Sequence, residues 1–302
     1  TAVVTKLLGG SKEQIIDALS QAWLDGSSLR TYRHAPNAGP RKSWAAGDAT
    51  SRAVRLADLT LKGEIGYPSV LTAPTWGFYD VAFKGKNFKL SQDYGSYVRE
   101  NILFKISFPA EFHSQTAAEA AVKLHPVVKD RLSDIKSIKI KTHESAIRII
   151  SKVGPLNNPA DRDHCLQYMI AVPLAFGNLT AEHYEDEFHR SNPIIDALRE
   201  KMTVEEEPRY TTEYLEPEKR SIANSLQVFF KDGSVTDEIE INYPVGHRRR
   251  REEGIPLLEE KFMTNLLTVF TKDRFNAIYN LCKNQEKLEN TRVNDFMDLF
   301  IP

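Results

Sequence analysis

Cysteine is scarce in this sequence: Cys165 and Cys282 are the only two in 302 residues. They lie far apart among apolar neighbours, so both read as free, buried thiols rather than as part of a disulfide scaffold. Two thiolates also cannot ligate an ordinary iron–sulfur cluster within the chain. No apolar run approaches the ~20 residues that a membrane-spanning helix needs. Glycine and proline, 15 of each, stay near average usage and exclude collagen-like or low-complexity chains. Charge of either sign is not in excess: 40 Lys and Arg face 41 Asp and Glu, for a net charge of −1. That excludes a surface built throughout for nucleic acid and leaves room only for a local basic patch. Also missing are G-x-G-x-x-G, a Walker loop, G-x-S-x-G, H-E-x-x-H and paired C-x-x-C. Nucleotide, serine-hydrolase and zinc chemistry therefore have no anchor, and no histidine cluster has metal-ligand spacing.

What is present is a chain of helical character at both ends. It starts at Thr1 without an initiator Met, and its first residues are too short and weakly flanked for a signal peptide. The reading is the interior of a longer chain. Ser11 and Gln14 have capping-box spacing, and Ile15, Ile16, Leu19, Ala22 and Trp23 form one helical face before Asp25-Gly26. A Pro- and Gly-rich loop covers 34–41. A helix loaded with small side chains follows from Trp44 to Ala57, expected to be central. Between Tyr67 and Phe88, prolines and glycines among aromatics predict turns and short helices.

The middle changes period. Ile138 and Ile140 alternate with Lys139 and Lys141, a strand with one wet face. Leu226, Val228 and Phe230, then Asp232-Gly233, then Ile239, Ile241 and Tyr243 spell a hairpin. Helices are predicted from Ser114 to Leu124, stopped by Pro126; from Asp161 to Phe176, kinked at Pro173; and from Ile194 to Met202. The apolar stripe Leu257, Leu258, Phe262, Met263, Leu266, Leu267 and Phe270 returns the chain to helix. The fold expected is α+β with two domains. Residues 1–102 and 255–302 form an all-α helical body, and 103–254 form a smaller inserted α+β domain that contains the hairpin.

Chemistry concentrates in a few places. Lys105, Glu111 and His113 crowd a loop that enters a helix, where an anion and a moving proton are both served. Spacing alone equally describes ordinary capping residues and a surface imidazole, and on spacing alone that is the reading. His143 ends a strand, where most histidines hydrogen-bond a turn. Asp163, His164 and Cys165 point in different directions around a helix and read as capping, not as ligands. His247 to Arg251 is the strongest charge run. It fits a polyanion patch or one or two arginines clamping carboxylates, but Glu252 and Glu253 follow at once and favour a salt-bridged connection between the two domains.

Several strings are familiar. WAAGDATSR at 44–52, FKISFPAEFH at 104–113, THESAI at 142–147, DRDHCLQY at 161–168, KRSIAN at 219–224 and YPVGHRRRR at 243–251 closely resemble the MmgE/PrpD superfamily. The resemblance runs in order over essentially the whole chain. It implies a helical body with an inserted α+β domain, and a homodimer formed through that body. It also implies the dehydration of 2-methylcitrate to 2-methyl-cis-aconitate in propionate breakdown, with no cofactor and no iron–sulfur cluster. Family members carry a longer N-terminal helical portion, and place further pocket residues there. The implied compartment is the mitochondrial matrix for a fungal source and the cytoplasm for a bacterial one, the matrix being favoured.

A tricarboxylate substrate asks for several cations. A superfamily decarboxylase acting on cis-aconitate uses a lysine before a loop proline and a histidine just after it. Lys105 and Pro109 match that pattern with one extra residue between them. The histidine's position holds Glu111, with His113 two residues on. Lys42 matches another pocket lysine. The resemblance thus implies Lys105, His113 and Glu111 as catalytic, with His113 or Glu111 moving a proton. Lys42, Asp48, Arg52, Gln115 and Arg248 are implied as substrate-binding. The alternatives are a sister activity (cis-aconitate decarboxylation or citrate/aconitate hydration) and a non-catalytic polyanion-binding module. Neither nucleic acid nor membrane is an expected partner.

Overall fold

A computed structural model describes residues 1–26, 29, 31–33, 39–89, 95 and 101–301. The chain divides into two compact units, Thr1–Gly95 with Pro155–Arg162, and Ser96–Gly154 with Asp163–Pro302.

The first unit is built on three helices: α1 (Ala2–Leu7), α2 (Lys12–Asp25) and α3 (Arg41–Leu61), which pack against one another. The capping box is formed: the Gln14 amide N–H donates to Ser11 Oγ, and the Ser11 N–H to Gln14 Oε1 at 2.9 Å. Trp23 at the end of α2 stacks edge-on to Phe78 of α4 (Phe78–Phe83), centroids 4.6 Å apart, with Phe88 closing an aromatic cluster. The small-residue helix is longer than its sequence signal, and its position differs from expectation. Only Ala57 and Thr60 of α3 are buried, and none of the described residues approaches the place of a Cβ on Gly47. Most of the loop expected at 34–41 lies outside the described residues.

The second unit holds a four-stranded sheet in the order β2-β1-β3-β4. The strands are β1 (Ile135–Thr142), β2 (Met202–Glu206), β3 (Asn224–Phe230) and β4 (Ile239–Ile241). β1 pairs parallel with β2 (Ile138 opposite Met202) and antiparallel with β3 (Ile140 opposite Leu226). The predicted hairpin is present as β3 and β4, turning at Gly233 with φ +87°. β2 was not expected. The helix predicted to reach Met202 ends at Arg199, and the next residues extend along β1.

One helix lies on the sheet and a second lies over the first. α5 (Gln115–Val128) packs on β3 and β4, and α7 (Leu166–Phe176) packs on α5, while the short α6 (Glu144–Ile150) follows β1. Ala117, Ala118, Ala120 and Ala121 of α5 are completely buried. α7 is buried all round from Leu166 to Leu174, as a helix without a polar face must be. α5 continues through Pro126 for two residues instead of stopping there. The helix expected over Asp161–Phe176 is broken: Pro159–Arg162 and α7 are separate helices, with Asp163 to Cys165 between them. Cys165 is buried as expected, whereas Cys282 is exposed.

The stretch 102–105 is moored to the residues before and along α9 (Arg251–Leu266). Arg251 donates to the Ile102 carbonyl at 2.6 Å and lies 4.2 Å over the Phe104 ring. Phe104 N–H donates to Gly246 O, and Lys261 Nζ donates to Lys105 O at 2.6 Å. Gly246 has φ +101°, and a Cβ there would stand 2.1 Å from the Phe104 carbonyl oxygen. Gly246→Ala should therefore destabilise far more than Gly233→Ala, whose Cβ would meet none of the described residues. A left-handed alanine alone costs about 1–2 kcal/mol. Urea unfolding of the two variants checks this: equal midpoints would show that the Phe104 carbonyl gives way freely.

Candidate active site

The FKISFPAEFH loop ends in a 3-10 turn, Phe112–Ser114, that leads into α5. Short polar bonds shape it. Gln115 Nε2 donates to the carbonyls of Phe108 (2.9 Å) and Ala110 (2.8 Å), folding the loop back on the helix start. Glu111 caps the turn, its Oε2 accepting the His113 N–H at 2.7 Å, and Ser114 Oγ donates to Glu111 O at 2.6 Å. From β3, Asn224 Nδ2 donates to the His113 carbonyl (2.8 Å) and to Thr116 Oγ1 (2.7 Å). His113 is thus fixed from both sides and only 8% exposed. Lys105 sends its ammonium over the Phe112 ring at 4.9 Å, a cation–π contact.

His143 meets it from the end of β1. As N-cap of α6 it is fully buried, and its Nε2 lies 3.2 Å from His113 Nδ1. Tyr214 of α8 (Pro208–Leu215) stacks on the His143 ring, centroids 4.4 Å apart and planes 20° apart. The remaining nitrogen of His113, Nε2, is 3.9 Å from Glu111 Oε1. His164, in the break before α7, is buried beside Asp163 Oδ1 at 2.9 Å.

Burial decides the charge of this pair. It pulls His143 down to about 3, with neighbouring His113 adding to the effect. Burial also lowers His113, opposed by the Glu111 carboxylate and reinforced by His164. At neutral pH the pair is uncharged, one ring donating and the other accepting across the 3.2 Å contact. His113 can then accept or release a proton at Nε2, on the Glu111 side, as a general acid or base does.

Lys105, Glu111, His113 and Gln115 are therefore brought together in the second unit. Lys42, Asp48 and Arg52 lie on α3 in the first. There Asp48 accepts from Arg41 at 2.9 Å and from Arg52 at 3.1 Å. Arg248 donates to the carbonyl and carboxylate of Glu218. The arginine run is taken up internally: Arg250 forks onto Glu119 and Glu253, and the pairing raises its pKa further. Two readings are corrected. His113 is no surface residue, and His143 does more than hold a turn. A histidine directly after an alternating strand was the available signal for His143. Tyr214, brought in by a helix after an unexpected strand, had none.

A folded-state His143 value near 3 against 6.5 unfolded means that the unfolded chain takes up a proton the folded chain refuses. Stability from this group is complete above pH 6.5 and is lost as pH falls from there toward 3, by about 2 kcal/mol at pH 5. His143→Phe should flatten the fall in unfolding free energy between pH 6.5 and 4.5, measured by urea titration. An unchanged slope would show that His143 is protonated in the fold.

The chain matches two family models: the MmgE/PrpD N-terminal domain over residues 1–91 and the MmgE/PrpD C-terminal domain over residues 108–285. It is 58% identical to the "2-methylcitrate dehydratase" of Cupriavidus necator over 303 residues, which is 99% of this chain and 62% of that protein. It is 56% identical to that of Escherichia coli (strain K12) over 304 residues, covering 100% of this chain and 63% of the relative. A Yarrowia lipolytica protein named "2-methylcitrate dehydratase, mitochondrial" is 58% identical over 304 residues, 100% of this chain and 58% of its own length. The chain thus spans about six tenths of the length of these curated relatives. Matched over residues 1–91 and 108–285 by the two models, it belongs to the MmgE/PrpD family.

Proposed function

We propose that this chain carries the catalytic loop of a hydro-lyase that dehydrates 2-methylcitrate to 2-methyl-cis-aconitate in propionate catabolism, without an iron–sulfur cluster. The observation that carries the reading is identity of 56–58% along the chain to proteins named for that reaction. The chemistry sets the roles in this reading. The proton removed lies next to a carboxylate and is weakly acidic, so the electron-rich transition state requires fixed positive charge. Lys105 provides it at the loop. His113 and Glu111 lie close enough to divide the proton work, one taking the proton from carbon and the other giving one to the departing hydroxide. Gln115 is the substrate-binding residue beside them, its Nε2 also donating to the loop carbonyls. Arg248, in the same unit, is a further cation for a tricarboxylate.

The same reading makes 1–102 and 255–302 the helical body of a homodimer and 103–254 its inserted domain, supported by a sheet that lies wholly within residues 135–241. It places the protein in the mitochondrial matrix of a fungus or the cytoplasm of a bacterium. No helix among the described residues is long and apolar enough to cross a membrane.

In the full-length protein, Lys105→Ala should lower kcat/KM on 2-methylcitrate by roughly 2–4 kcal/mol of transition-state stabilisation, the scale of one preorganised donor. Lys105→Arg should recover part of it, since a planar fork does not reproduce a compact charge. Melting temperature should hardly move. Unchanged turnover would remove Lys105 from the site, and faster turnover of citrate or cis-aconitate than of 2-methylcitrate would reassign the reaction. Dialysis against a strong chelator should leave activity intact; loss restored by iron would defeat the cluster-free reading.

A further inference from the structure

The least expected member of the buried cluster is Tyr214. We infer that Tyr214 is a positioning residue: its ring holds the His143 imidazole in the plane that presents Nε2 to His113 Nδ1, and so fixes which nitrogen of His113 faces Glu111. Three observations support this. The Tyr214 and His143 rings are nearly parallel, 20° apart with centroids at 4.4 Å, while Tyr214 meets His113 edge-on at 5.5 Å. One flat ring therefore limits rotation of both imidazoles.

Next, α8 is fastened to the sheet in a way that leaves Tyr214 little play. Glu207 caps the helix by accepting the Arg209 N–H, and Arg209 forks onto both carboxylate oxygens of Glu240 on β4 at 2.7 Å. Tyr210 donates to the same carboxylate at 2.8 Å, and Thr211 Oγ1 accepts the Glu144 N–H of α6 at 2.9 Å. At the helix end, Arg220 donates to the Tyr214 carbonyl.

Finally, the His143 ring has no second hydrogen bond among the described residues. It makes no side-chain capping bond, and among the described residues its buried Nδ1 has no hydrogen-bond partner. A ring held through one nitrogen could turn about that contact. The stacked face limits that turning, so the contact between His113 and His143 that sets the tautomer persists.

The test is nitrogen NMR of this chain with labelled histidine at neutral pH, in which protonated and unprotonated ring nitrogens resonate far apart. Wild type and Tyr214→Phe should each show one protonated and one bare nitrogen on His113 and on His143. In Tyr214→Leu both rings should show exchange-averaged shifts. Tyr214→Met, a flexible filler of similar bulk, serves if the leucine variant does not fold. Wild-type shifts in a folded Leu or Met variant would overturn the inference, and so would their loss in Tyr214→Phe. The catalytic consequence rests on the proton-transfer reading above. In the full-length protein the Leu variant should lose about tenfold in kcat with KM little changed, a small part of what acid–base groups supply. Averaged nitrogens with unchanged kcat would sink that reading and leave the positioning role standing.

Discussion

Everything at the site follows from how closely α5 can sit on the sheet. Four fully buried alanines let the helix lie down on β3 and β4 and still leave α7 room to cover it. Larger side chains there would lift the start of the helix, and with it the 3-10 turn that carries His113. The contact between His113 and His143 spans 3.2 Å, so a shift of one methyl radius would break it. The polar bonds of the turn are arranged around the same seating. Asn224 reaches up from β3 to the His113 carbonyl and Thr116, while the Thr116 hydroxyl donates to the Ile222 carbonyl.

The cluster separates two jobs that charged residues often share. At its centre is a pair kept neutral by burial, with Lys105 nearby over an aromatic ring. The arginines that give the sequence its strongest charge run are spent differently. Arg250 joins α5 to α9 through Glu119 and Glu253, and Arg251 moors the strand of chain that leads to Lys105. Breaking such a partly buried fork leaves a carboxylate without its partner, which usually costs more than forming the pair gained.

Much of this was legible in the sequence wherever a residue's role is local. The capping box at Ser11, the alternation in β1 and the Asp232-Gly233 turn each depend on neighbours within a few positions, and each is found. The loop with Lys105, Glu111 and His113 was equally visible as a concentration of chemistry. What sequence could not show is tertiary. β2 carries only the half-buried pattern of an edge strand, so nothing set it apart from the helix before it. His113 reads as a capping residue until α5 is laid on the sheet. The break at Asp163 to Cys165 was hidden because helix formers continue on both sides. Pro126 misled for a different reason: in the final turn of α5 it removes a single bond, and the helix absorbs it.

The two thiols were expected to be alike, and the difference between them makes the chain its own reporter. Cys282 is open to solvent on α10 (Lys272–Lys283), whereas Cys165 lies at the head of α7 with no exposed surface and a thiol pushed up by burial. A thiol reagent should modify the first at once and reach the second only when α7 parts from its surroundings. Because Cys165 directly follows His164, the rate of that second modification is a clock for the breathing of the core beneath the histidines.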